Sequence, residues 1–163
     1  MKPSLVSRLI TLKAVDVMTS KPVTLTATAS VASAVATLER RHITGAPVVD
    51  DAGRVIGMFS LWDFVRSQTS PERSASANPE NSQQKKAVDG ARPSSAESTT
   101  VADWMSRTEG SVPRDQLLVE VARTMCTAHW HRVPVVTGDG QLVGIISTMD
   151  VLAALVNLFD ELM

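Results

Sequence analysis

Apolar residues recur along the chain in two rhythms, and both rhythms occur twice. Val31, Ala34, Val35 and Leu38 stand at i, i+3, i+4 and i+7, and Leu118, Val121, Ala122 and Met125 repeat those offsets. This is the spacing of one buried helical face, so a helix is predicted in each place. Thr28 and Asp115 precede the two helices as predicted N-caps, because a side-chain oxygen there can accept from the unpaired N–H groups of the first turn. "GAPVVDDAGRVIGMFS" and "RVPVVTGDGQLVGIIS" follow, each reading as strand, glycine turn and strand. A second helix is predicted to begin near Ser60 and near Ser147, the latter running through "STMDVLAALVNLF".

The chain matches itself at a shift of 87 positions, residues 15–65 lying on 102–152 without a gap. Identical pairs include Asp16/Asp103, Met18/Met105, His42/His129, Pro47/Pro134, Gly53/Gly140, Gly57/Gly144, Ser60/Ser147 and Asp63/Asp150. Two copies of one strand–helix–strand–strand–helix unit are therefore expected. Between them, from Ser67 to Thr100, Val88 is the only large apolar residue, and so polar a stretch reads as a disordered linker. The expected domains are 10–66 and 101–160, joined by a linker over 67–100. The fold class is α/β (α+β), each copy a small three-stranded sheet with two helices. Such a sheet leaves one face bare, so the copies are expected to pack sheet to sheet as a pseudo-twofold pair.

Of the 163 residues 44% are apolar, enough for a core, and the formal net charge of -1 excludes a broad nucleic-acid or anionic-membrane footprint. No run of about 18 apolar residues occurs, and the opening "MKPSLVSRLITLK" is too short in apolar residues for a signal peptide. With a single cysteine, Cys126, a cytoplasmic location is expected. Cys126, His129 and His131 invite a zinc reading but lack a fourth ligand, and for Cys126 an inert thiol or a partly buried small hydrophobe is the simpler role. His42 and His129 end the amphipathic helices, where a cation favours the helix dipole. Trp62, Trp104 and Trp130 read as packing residues. Neither a nucleophile elbow, a P-loop, a Rossmann fingerprint nor H-E-x-x-H occurs, so catalysis is not expected.

The order of these elements resembles the cystathionine β-synthase (CBS) domain, in the tandem form called a Bateman module. The resemblance rests on "VDVMTSKPVTL", the strands "GAPVVD" and "RVPVV", the D-x-G and D-G turns, and the closing "GMFSLWD" and "GIISTMD". It implies a sensor that binds an adenosyl ligand, such as AMP, ADP, ATP or S-adenosylmethionine, in clefts between the two domains. It further implies a homodimer and a separate regulated protein.

The same resemblance assigns ribose hydroxyls to Asp63 and Asp150, and ribose or phosphate to Ser60 and Ser147. The stretch "HRVP" looks like the one by which nucleotide-sensing γ subunits of AMP-activated kinases contact phosphates, which assigns His131 and Arg132 to that role; the first copy has Thr44 and Gly45 there instead. Groups around Thr19, Ala46, Val133 and Ile145 are then expected to cradle the base. The residues taken alone leave a second reading open. Ser60 and Ser147 are also good N-caps, with Asp63 and Asp150 as first-turn acids, and Arg132 could simply pair with a carboxylate. In that case the protein is a ligand-free dimerisation scaffold.

Overall fold

The computed structural model describes residues 5–62, 65, 99–107 and 110–160. Helices α1 (Leu5–Leu9) and α2 (Ala14–Val17) lead into β1 (Thr19–Ser20), followed by β2 (Leu25–Thr26), α3 (Val31–Arg40), β3 (Gly45–Val49) and β4 (Val55–Ser60). The second copy runs α4 (Val101–Trp104), β5 (Val112–Pro113), α5 (Leu118–Ala128), β6 (Arg132–Val136), β7 (Leu142–Ser147) and α6 (Thr148–Asp160). Helical backbone also resumes at Leu61, directly after Ser60. The fold is mixed α/β with small sheets, as the alternating periods require. Most of the expected linker, up to residue 98, lies outside the described residues. No helix among the described residues is long and apolar enough to cross a membrane.

Two compact units emerge, and each takes its opening segment from the opposite copy. One gathers the described residues of Met1–Thr24, Val49–Ile56 and Thr108–Met163; the other gathers those of Leu25–Val48 and Gly57–Arg107. In the first unit the sheet order is β1-β7-β6-β5. A fourth strand thus joins the expected three: β1, from the first copy, pairs antiparallel with β7, Thr19 opposite Ile145 and Ser20 opposite Gly144. The other sheet keeps three strands in the order β2-β3-β4. Ser106, from the second copy, bridges to Met58 on β4, where the two backbones exchange N–H···O=C bonds of 2.9 Å.

This exchange relocates the helix starts. α3 is capped by Ser30, whose Oγ accepts from the Ser33 N–H at 3.2 Å, and α5 begins after Leu117, which offers no capping side chain. Both starts lie two residues beyond the predicted caps Thr28 and Asp115. The reason is backbone supply from the exchanged segments: the Val31 N–H donates to the Thr99 carbonyl at 3.0 Å, and the Leu118 N–H to the Leu12 carbonyl at 2.7 Å. A first-turn donor satisfied by a carbonyl does not depend on a polar cap. Thr99 is correspondingly buried.

The cores repeat position for position. Ala14, Val112, Leu118, Val121, Met125, Val133, Val135 and Ile146 are buried in one unit; Val101, Leu25, Val31, Ala34, Leu38, Ala46, Val48 and Phe59 are buried in the other. Each residue of the second series sits 87 positions from its counterpart in the first. Burying the Val, Leu, Ile, Met and Phe side chains among them contributes roughly 1.5–3 kcal/mol apiece.

Several expectations are corrected here. Trp62 is exposed rather than packed, whereas Trp104 is buried and Trp130 lies against the core of its unit. Cys126 is exposed on α5, which removes the partly buried alternative for it. His42 and His129 do end their helices, but through backbone geometry, with φ of 53° and 55°. The Ile43 N–H donates to the Leu38 carbonyl and the Trp130 N–H to the Met125 carbonyl, at 3.0 and 2.9 Å. This is the six-to-one closure of a helix whose next residue is left-handed.

Candidate functional site

The register of the four-stranded sheet sorts the candidate residues. In an antiparallel pair, directly opposed residues point to the same face, and residues two apart on a strand share that face. Thr19 opposes Ile145, and Arg132 opposes Ser147 while Pro134 opposes Ile145. Thr19, Arg132, Ile145 and Ser147 therefore share one face, with Thr19 and Arg132 flanking the end of β7 on its two sides. Val133 and Ile146 oppose each other on the reverse face and are fully buried in the core. Val133 can offer a ligand only its backbone.

At the same end α6 begins, and its start is polar. The Ser147 N–H and Oγ–H both donate to Asp150 Oδ2, at 2.7 and 2.6 Å, and the Asp150 N–H reaches Ser147 Oγ at 3.3 Å. Both donations converge on Oδ2. His131, exposed just before β6, is held by its carbonyl, which accepts from the Thr148 N–H at 3.1 Å. His131, Arg132, Ser147, Asp150 and Thr19 are thus brought to one end of one sheet. Arg132 is half-buried and takes part in neither of the ion pairs found among the described residues, Arg54–Asp50 and Arg123–Glu120. The salt-bridge alternative for Arg132 finds no partner among them.

The first copy has the corresponding framework with different chemistry. The Leu61 N–H donates to the Thr44 carbonyl at 3.0 Å, matching the Thr148–His131 bond, and Ser60 Oγ accepts from the Trp62 N–H at 3.2 Å. Thr44 is exposed and Gly45 buried, so no cation stands where His131 and Arg132 stand in the second copy. Asp63 lies outside the described residues. Cys126, His129 and His131 are all exposed, and no cluster of three or more metal-ligating side chains occurs among the described residues.

The role of the repeated Met and Gly pairs escaped the sequence reading. Met18 packs over Gly144 and Met105 over Gly57; a Cβ at Gly57 would lie 2.9 Å from Met105 Sδ and 2.8 Å from the Ser106 carbonyl oxygen. The glycines leave room for the methionines that seat the exchanged segments. Their shared offset of 87 was the signal, but the register that joins them crosses the two copies.

The CBS domain family model matches residues 14–70 and 101–157, more than half of the chain. The chloroplast CBS domain-containing protein CBSX1 of Arabidopsis thaliana is 29% identical over 138 residues, covering 78% of this chain and 56% of its own. Across the curated relatives, the chain spans 22 to 58% of their length. Among solved structures, CBSX2 in complex with AMP superimposes with a TM-score of 0.69 at 24% identity, covering 90% of this chain and 97% of that one. The CBS domain pair of MJ0100, in complex with 5'-methylthioadenosine and S-adenosyl-L-methionine, gives 0.67 at 20% identity, with 90% and 97% covered. At these identities the superpositions establish the fold.

Proposed function

Because the chain belongs to the CBS domain family, with two copies in tandem, we propose that it is a non-catalytic regulatory module that binds an adenine nucleotide or a related adenosyl ligand: AMP, ADP, ATP or S-adenosylmethionine. The domains in this reading are 10–66 and 101–160, with 67–100 as the linker, and the compartment is the cytoplasm. One observation carries it: Arg132, Ser147 and Thr19 share a sheet face at the end where Asp150 begins α6. Arg132 has a planar fork for phosphate oxygens, each such charge-assisted bond contributing roughly 1.5–3 kcal/mol. His131 adds a donor whose charge follows pH. Asp150 keeps Oδ1 for a ribose hydroxyl, since its bonds to Ser147 use Oδ2. Val133 contributes backbone groups. By their sequence positions Thr44, Ser60 and Asp63 are the corresponding set in the first copy, poorer in positive charge. That CBSX2 is described in complex with AMP and the MJ0100 pair with adenosyl compounds supports the ligand class.

The module further works as a homodimer that passes its state to a separate protein. Met149, Leu152, Val156 and Phe159, exposed by 68, 53, 57 and 58%, form a stripe along α6 at spacings of three, four and three. That is a seam suited to another helix, and Trp62 and Val65, exposed at the repeat positions of Met149 and Leu152, extend the pattern to the first copy. The same stripe favours the second reading, a scaffold that dimerises without ligand and uses Ser147 and Asp150 only as a cap.

A melting-temperature titration with each adenosyl ligand separates the two readings. A ligand at 100-fold its Kd stabilises by about 2.7 kcal/mol. Arg132→Ala is expected to weaken binding of the phosphate-bearing ligands at least tenfold with little loss of basal stability. No shift with any ligand favours the scaffold, whereas a shift that Arg132→Ala leaves unchanged puts the phosphate contact on other residues.

A further inference from the structure

The two exchanged segments are each fastened by a thioether. Met18 is half-buried, packs against the core of its unit and lies over Gly144 on β7; Met105 is half-buried and lies over Gly57 on β4. Each methionine directly precedes the residues that join the neighbouring sheet, Thr19–Ser20 on β7 and Ser106 on Met58. On the sheet side there is no room for even one added carbon, as the glycine contacts establish. The joints themselves are short: β1 has two residues, both exposed, and Ser106 makes a single bridge. Upstream, each segment is held by backbone bonds, the Ala14 and Val15 N–H groups donating to the Gln116 and Arg114 carbonyls and the Val101 and Ala102 N–H groups to the Ala29 and Ala27 carbonyls, so the sulfur contacts matter for the end that reaches the sheet.

We propose that Met18 and Met105 form a paired modification site for peroxide-class oxidants, and that their oxidation loosens the sheet-joining end of each exchanged segment. The thioether sulfur attacks one oxygen of hydrogen peroxide; the S–O bond forms as the O–O bond breaks. The sulfur loses two electrons, and the departing hydroxide takes the proton of the transferred oxygen and leaves as water. The product is a polar, chiral sulfoxide where a flexible apolar group had packed. Neither methionine side chain is fully enclosed, which leaves a small oxidant a way in, while the filled glycine slot gives the new oxygen no place against the sheet. Both copies respond through one chemistry because both carry the same Met-on-Gly contact.

The test is peroxide treatment of the full chain, with each methionine followed by peptide mass and the melting temperature measured in parallel. Oxidation of Met18 and Met105 is expected to lower the melting temperature by about 4 °C or more, with recovery after methionine sulfoxide reductase treatment. The M18L/M105L variant is expected to keep its melting temperature after the same exposure, although the exposed Met149 still gains oxygen; Leu for Met conserves volume and is well tolerated. Should the double variant fold poorly, M18L and M105L singly are each expected to lose about half the effect. Three results overturn the proposal: Met18 and Met105 resisting peroxide that oxidises Met149, an unchanged melting temperature with both oxidised, or an equal loss in the leucine variants.

Discussion

Left-handed backbone at a residue other than glycine costs roughly 1–2 kcal/mol, and the chain accepts this at His42 and His129 to end its two amphipathic helices. A β-branched side chain tolerates that conformation least. His129→Val is therefore expected to lower unfolding stability by about 1–2 kcal/mol, whereas His129→Gly holds or gains stability, both read from denaturant midpoints. The sequence places the histidines at helix ends, yet their charge suggested a dipole role and only the backbone angles reveal the turn.

Carboxylates at the same scale make stability depend on acid. The Thr100 N–H, and then its hydroxyl, hold the Asp103 carboxyl below its usual value of 3.8. Asp50 is lowered by the Arg54 backbone N–H and guanidinium, and Asp139 by the Thr137 hydroxyl. A carboxyl whose folded-state pKa is depressed adds stability that is present above the unfolded value and lost as pH falls through the folded one. Urea midpoints are thus expected to decline below about pH 4, and Asp103→Asn to decline less steeply over that window.

Elements depend on each other across the sequence. β7 accepts β1 only because Gly144 leaves space for Met18, so Gly144→Ala is expected to cost about 1–3 kcal/mol by overpacking. Gly138→Ala, with nothing within 4 Å of its added carbon, is expected to cost far less. Met18→Ala in the Gly144→Ala background should recover part of the loss, a coupling that a double-mutant cycle measures. Helix α5 and the hairpins were legible from periodicity and turn glycines because those signals are local. The exchange was not, since a two-residue strand such as β1 carries no period and its partner lies some 125 positions away. The candidate site was half legible for the same reason: Ser147 and Asp150 follow from a local cap pattern, while Arg132 beside Ser147 requires the register of β6 on β7.

At the scale of the molecule, an exposed apolar stripe on α6 is a liability in water unless something covers it. If a second copy covers it, as proposed, Leu152→Asp and Phe159→Asp are expected to convert the dimer to monomer in sedimentation or light scattering. The melting temperature of the monomer should fall only by the lost association, because both side chains are more than half exposed within the chain. A particle size that does not change with either substitution places the dimer contact elsewhere.

The interleaving of the copies also sets an order of assembly during synthesis. When the ribosome has released residues up to 66, α3 has its apolar face but not the Thr99 carbonyl for its first turn, nor Ser106 beside Met58. The nascent first half must wait until some forty more residues have emerged, and the Leu12–Leu118 bond closes later still. Contacts so distant in sequence slow folding. A transcript cut within the intervening stretch would yield a half whose α3 lacks its first-turn carbonyl and whose β4 lacks the Ser106 bridge, a natural substrate for proteolysis.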